Sequence, residues 1–133
     1  MLGIYEDERL IKSIISDEKA SEFLPKILQN LLLEYEFNEL IYANGPGSFM
    51  GIKISYVILK TLSIVKEIPL FAVSAFELNG FTPISANKNL CFVLKNEKIN
   101  LEKSLAGEFF LPKNLQELNL KNDNLPFYFL DAI

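Results

Sequence analysis

The chain has 133 residues, enough for one domain or one lobe of a larger assembly, and half of them are apolar, enough to bury a core. Lysine and arginine number 13 against 17 aspartates and glutamates, a formal charge of −4 that argues against a free-standing nucleic-acid binder with a basic face. Histidine is absent and Cys91 is the only cysteine. These counts exclude histidine-dependent catalytic triads, the usual zinc ligand sets and an internal disulfide, and they fit a reduced, cytoplasmic setting.

The start, Met1-Leu2-Gly3-Ile4-Tyr5-Glu6-Asp7-Glu8, turns acidic at once and lacks the basic, then long apolar pattern of a signal peptide. The most hydrophobic window, Ile52 to Val65, is interrupted or bounded by Lys53, Lys60 and Lys66, so a soluble chain without a membrane span is expected. Leu2–Tyr5 and Leu10–Ile15 read as a hairpin around Glu6–Arg9. Asp17 to Phe37 reads as a helix, with Phe23, Leu24, Ile27, Leu28, Leu31, Leu32 and Tyr35 at three- and four-residue spacing. Pro25 should mark its first turn or a shifted start, because an interior proline loses a hydrogen bond. Leu40–Ala43 is a buried-strand run broken by Gly45-Pro46-Gly47, and Ser48 is a natural cap for a helix from Phe49 to about Lys66. Ile68 to Val73 follows as a second strand, so the unit is a βαβ crossover with a parallel pair. Beyond residue 80, Leu90–Leu94 reads as a strand, Pro112–Leu120 as a short helix and Leu125–Leu130 as an edge strand containing Pro126.

The glycine turn before a helix N-terminus has the geometry of an anion site, yet neither the P-loop nor the dinucleotide fingerprint is satisfied. Tight strand-to-helix geometry accounts for Gly45 and Gly47 equally well. The alternative function is therefore a small nucleotide- or phosphate-binding protein using the Gly45–Gly51 turn, with Lys53 one turn inside. The helix is more informative. Its apolar positions cover roughly 240° of arc at about 100° per residue, where a helix on one sheet face needs only about 100° or more. The spacing leaves only a narrow strip with Lys53 and Lys60 for water. Gly51 and Ser55, continued by Leu59 and Leu62, form a small-residue row that a second helix can approach closely. Cys91, in an apolar run, reads as a buried inert thiol, Glu6-Asp7-Glu8 as a solvated turn, and Phe109-Phe110-Leu111 and Phe127-Tyr128-Phe129 as core. Ser48 has no base near it in sequence, so a peptidase has little support.

Ala43-Asn44-Gly45-Pro46-Gly47-Ser48-Phe49-Met50-Gly51-Ile52-Lys53-Ile54, followed by Leu62 and by Ile68-Pro69-Leu70-Phe71-Ala72-Val73-Ser74, resembles the signature of the TsaB (YeaZ) family. Leu24-Pro25 with Ile27 matches that family's first-helix pattern. Met50 stands for its usual threonine, Lys53 for its arginine, Ser55 for a glycine and Lys19 for a frequent histidine. Ile84-Ser85-Ala86-Asn87 aligns with a second-lobe loop but lacks its aspartate, and the family's opening strand has no counterpart before Leu2.

The resemblance implies an α/β fold, an actin/Hsp70-like (ribonuclease H-like) lobe with a mixed sheet and two packed helices over residues 1–80, and a reduced second lobe or C-terminal extension over 81–133. It implies no activity, cofactor, metal or catalytic residue of the chain's own. The implied role is a scaffold subunit that binds a TsaD-type paralogue, with a TsaE-type ATPase, in making threonylcarbamoyladenosine in tRNA. tRNA would be met only through that complex, and a homodimer would form when the partner is absent. The partner interface expected from the row and the resemblance is Met50, Gly51, Ile54, Ser55, Ile58, Leu59 and Leu62, launched by the motif turn Gly45, Pro46, Gly47, Ser48 and Phe49.

Overall fold

The computed structural model describes residues 1–127. Strands β1 (Leu2–Glu6) and β2 (Arg9–Ile14) form an antiparallel hairpin. Asp7 and Glu8, with φ of 51° and 69°, supply the two positive dihedrals of a tight hairpin turn whose twist matches the strands. Helix α1 spans Ala20–Glu34, shorter at both ends than the periodicity predicts. Pro25 lies inside it, in the second turn rather than the first, so the Ser21 carbonyl loses its usual donor there. Leu24 and Leu31 are buried, whereas Leu32, expected on the apolar stripe, points outward.

Strand β3 (Leu40–Ala43), helix α2 (Phe49–Lys66) and strand β4 (Leu70–Val73) follow, with β3 and β4 parallel and Leu40 paired to Leu70 through Ala43 to Val73. This is the crossover read from the sequence. Leu40, Tyr42, Ile52, Leu59, Leu70 and Ala72 form the core between this pair and α2, with Leu28 of α1 and Leu62 packed against it. A short 3-10 turn (Ala75–Leu78) leads to a three-stranded antiparallel sheet of β5 (Ile84–Ser85), β6 (Cys91–Lys95) and β7 (Lys98–Glu102). A second core of Ala75, Phe76, Ile84 and Phe92 lies under it. Cys91 is buried, its thiol donating to the Ser104 carbonyl (3.2 Å).

The fold is α/β with two packed helices, but the mixed sheet is divided: among the described residues, parallel and antiparallel pairs occur in three separate sheets. Pro112–Leu120 is a correction too, since only Leu115–Glu117 makes a 3-10 turn. Of the expected strand Leu125–Leu130, residues 125–127 are irregular and 128–130 lie outside the described residues, as do Tyr128 and Phe129 of the aromatic run.

The stretch from residue 110 to 127 runs back over the first 80 residues as a strap. Leu10 N–H donates to the Lys113 carbonyl and Leu115 N–H to the Glu8 carbonyl, and Lys121 exchanges both backbone bonds with Ala72. Its backbone groups are thus satisfied by distant strands rather than by a helix of its own. Tyr5 is one anchor, its hydroxyl donating to the Pro112 carbonyl (2.6 Å).

Burial first, and the Glu117 carboxylate second, raise the Tyr5 pKa above its ordinary value. Its neutral form is thus favoured in the folded chain. The stability linked to Tyr5 is full below the unfolded pKa of about 10 and is lost as pH rises through the higher folded value. Tyr5→Phe should therefore show a shallower loss of unfolding free energy than wild type between about pH 9 and 11, measured by urea titration.

Candidate functional site: the glycine turn and its helix

The turn joining β3 to α2 is enclosed by the chain itself. Gly45 has φ of +125° and is followed by a cis peptide to Pro46. Its carbonyl accepts from Ala75 N–H (2.9 Å), while Asn44 N–H donates to the Val73 carbonyl (3.1 Å), which carries the β3–β4 pairing one residue further. The strap closes over it: Phe127 N–H donates to the Asn44 carbonyl (2.7 Å) and Asn44 Nδ2 to the Leu125 carbonyl (3.1 Å). A side chain at Gly45 would meet the Phe127 carbonyl oxygen. Glycine is required here by dihedral and by space together.

Ser48 caps α2, its hydroxyl accepting from Gly51 N–H (3.2 Å). The hydroxyl is thereby engaged in starting the helix. Phe49, next along, is exposed. At the other end Glu67 adopts the left-handed conformation that closes the helix, and Ser63 Oγ donates to the Ile68 carbonyl.

Along α2 the seven expected interface residues divide. Leu59, 9% exposed, sits in the chain's own core with Ile52, and Leu62 packs against that core. The β3–β4 pair covers that side of the helix, where Leu59 packs with Leu40, Tyr42, Leu70 and Ala72. Gly51 and Ser55 are half-buried, and Ser55 lies with Leu59 on the side lining the cavity shared with Leu24, Leu28 and Leu31 of α1. At Ser55 the row therefore opens toward the chain's own first helix, whereas a Cβ at Gly51 would meet only Ser48. Ile54 and Ile58 are half-buried on the flank, and Met50 is open, at 57%.

Sequence reasoning missed the rest of the open face. Val57 (52%), Ile64 (67%) and Val65 (70%) are exposed alongside Met50. Met50, Ile54, Val57, Thr61 and Ile64 are spaced four, three, four and three apart, a single seam on the side away from the core. The only polar break in that seam is Thr61, whose hydroxyl donates back to the Val57 carbonyl (2.7 Å). The expected water-facing strip at Lys53 and Lys60 is one border of this seam, and Lys60 is itself half-buried. The signal was present in the wheel as surplus apolar arc; what the wheel lacks is the direction from which the sheet arrives.

Among the described residues no group of three His, Cys, Asp or Glu side chains is placed to hold a metal ion, and no helix is long and apolar enough to cross a membrane.

No protein-family profile matches the chain. A curated protein does: the tRNA threonylcarbamoyladenosine biosynthesis protein TsaB of Buchnera aphidicola subsp. Schizaphis graminum (strain Sg) is 33% identical over 61 residues, 45% of this chain and 29% of that protein. Over those 61 residues the chain is similar to a TsaB (YeaZ) protein. The matched stretch spans less than a third of the TsaB relative's length. Among solved structures, YeaZ from Pseudomonas aeruginosa is similar over 64% of this chain and 50% of its own, with 20% identity and a TM-score of 0.45. A second, an uncharacterized protein with similarity to peptidase YeaZ from Pseudomonas aeruginosa, covers 77% of this chain and 57% of its own, at 22% identity and a TM-score of 0.47.

The enclosure of Gly45 gives a direct expectation. Gly45→Ala should destabilise the chain by about 1–3 kcal/mol, from the disfavoured dihedral and the displaced Phe127 carbonyl. Gly47→Ala should cost much less, because at Gly47 an added Cβ has only the Ile52 side chain within reach, at ordinary contact distance. Parallel denaturant titrations of the two variants check the contrast.

Proposed function

We propose that this chain is an accessory, non-catalytic subunit in tRNA threonylcarbamoyladenosine synthesis, and that it binds a TsaD-type paralogue through the outer seam of α2. In this reading it belongs to the cytoplasm, meets tRNA and a TsaE-type ATPase only within the complex, and pairs with itself when the paralogue is absent. The lobe at residues 1–80 is the actin-like part, and residues beyond 80 act as a reduced second lobe and strap.

The observation that carries the reading is the seam itself. Met50, Val57, Ile64 and Val65 leave apolar side chains in water on the outer side of a helix whose inner side is already buried. Contiguous apolar surface of this kind, bordered by a lysine, is what an interface leaves uncovered in an isolated subunit. Each square ångström covered contributes about 25 cal/mol before the costs of association. The seam spacing suits a helix from the partner, packed in the shallow-angle geometry of helix bundles. The similarity to TsaB of Buchnera supports the choice of pathway, and the exposed seam supports the choice of surface.

Two classes of substitution separate interface from core. Val57→Glu and Ile64→Glu should leave the unfolding midpoint of the isolated chain nearly unchanged and weaken paralogue binding by about tenfold to a hundredfold or more, since each places a charge in a desolvated contact. Leu59→Ala should instead destabilise the fold by about 2–5 kcal/mol through a core cavity. Calorimetric titration with the TsaD-type paralogue, beside thermal unfolding of each variant, reads both. Full-affinity binding by both glutamate variants would overturn the placement of the interface, and absence of any binding by the wild type would overturn the function.

A further inference from the structure

Helix α2 carries charge of one sign. From Phe49 to Lys66 it has three lysines and no carboxylate, in a chain whose formal charge is −4. Lys66 lies in the last turn, where a cation is favoured by the helix dipole. The dipole gives no such reason for Lys53, in the second turn, or for Lys60 in the middle of the helix. Ion pairing within the chain gives none either: among the described residues the ion pairs join Lys26 to Glu18 and Lys95 to Glu102.

The two lysines stand beside the outer seam. They are two helical turns apart, and each comes one position before a member of the seam, Lys53 before Ile54 and Lys60 before Thr61. Lys53 is exposed and Lys60 half-buried. On the other flank, one position after Met50, Val57 and Ile64, stand Gly51, Ile58 and Val65, none of them charged. The borders of the seam are therefore unlike: one is cationic, the other small or apolar. In paired helices these flanking positions meet the flank of the partner and set which partner and which register is accepted.

We propose that Lys53 and Lys60 select the partner of the seam: a helix of a different polypeptide with two carboxylates beside its apolar stripe, about 10 Å apart along its axis. The inference rests on the reading of the seam as an interface and adds the chemistry that the interface accepts. A second copy of this chain meets the requirement less well. Antiparallel, it sets the lysine flank against itself, with only Glu67 at the helix end to offset the repulsion. Parallel, it sets the lysines against Ile58 and Val65. In either arrangement Lys60 loses water without gaining a carboxylate. An acidic flank thus draws the chain out of a self-pair and into a mixed one, by repulsion in the first as much as by attraction in the second.

The test measures association of the full chain with the TsaD-type paralogue by surface plasmon resonance, at about 50 mM and about 500 mM salt. Four proteins are compared: wild type, Lys53→Gln with Lys60→Gln, Lys53→Glu with Lys60→Glu, and Lys88→Glu with Lys98→Glu. The last pair makes the same change of net charge at exposed lysines away from α2. At low salt the Lys53/Lys60 glutamate pair should bind at least about tenfold more weakly than wild type, chiefly through slower association, with the glutamine pair between them. At high salt the difference should shrink to about twofold or less, and the Lys88/Lys98 pair should stay within about twofold of wild type throughout. Equal affinity of the Lys53/Lys60 glutamate pair and wild type at low salt overturns the proposal and leaves the seam standing as an interface. An equal loss in the Lys88/Lys98 pair overturns it too, because net charge then accounts for the effect. So does a loss that salt does not diminish, which a damaged fold produces and a charge contact does not. Absence of wild-type binding at both salts overturns the seam reading, and this inference with it.

Discussion

Helix α2 is apolar around most of its circumference, and the two-stranded pair beneath it can cover one side only. Much of the structure follows from that mismatch. Ile52 and Leu59 take the inner side and close the core with Leu40, Leu70 and Ala72. Ser55, one position round, faces the cavity that α1 also lines. What remains is a row from Met50 to Ile64, half-buried at Ile54 and open at Met50, Val57 and Ile64. The glycine turn sets this division, because it fixes the angle at which the helix leaves β3. Gly45 can make that turn only without a side chain, and the strap at Phe127 holds it from outside.

The strap is the second organising element, and it works by hydrogen bonds more than by burial. Tyr5, Leu10, Ala72 and Asn44 each bond to it from a different part of the first 80 residues. It therefore ties the hairpin to the parallel pair without lying between them. The outer strand edges, which would otherwise invite pairing with other chains, are closed by this route.

The βαβ unit was legible because each of its boundaries has a local cause. Leu40–Ala43 is a short apolar run, Gly45-Pro46-Gly47 cannot continue it, and Ser48 supplies a cap to the first turn of α2. Strand β7 was missed although Lys98-Ile99-Asn100-Leu101-Glu102 alternates polar and apolar, since the Asn96-Glu97 turn before it lacks the glycine that usually marks a hairpin. The strap was illegible in principle: its partners are carbonyls and amides far away in sequence, and no periodicity records them. At the candidate site the surplus of apolar arc was readable but its orientation was not. Gly51 and Ser55 are small enough for close approach by any helix, and at Ser55 the first claim on that side comes from the chain itself.

The central claim is that α2 has two faces with separate tasks, and methyl NMR with a soluble paramagnetic agent tests it most directly. In the free chain the methyls of Met50, Val57, Ile64 and Val65 should relax strongly while those of Ile52 and Leu59 are shielded. Addition of the TsaD-type paralogue should shield the first group and leave the second unchanged. Outer methyls that stay equally exposed in a demonstrably bound complex would contradict the account.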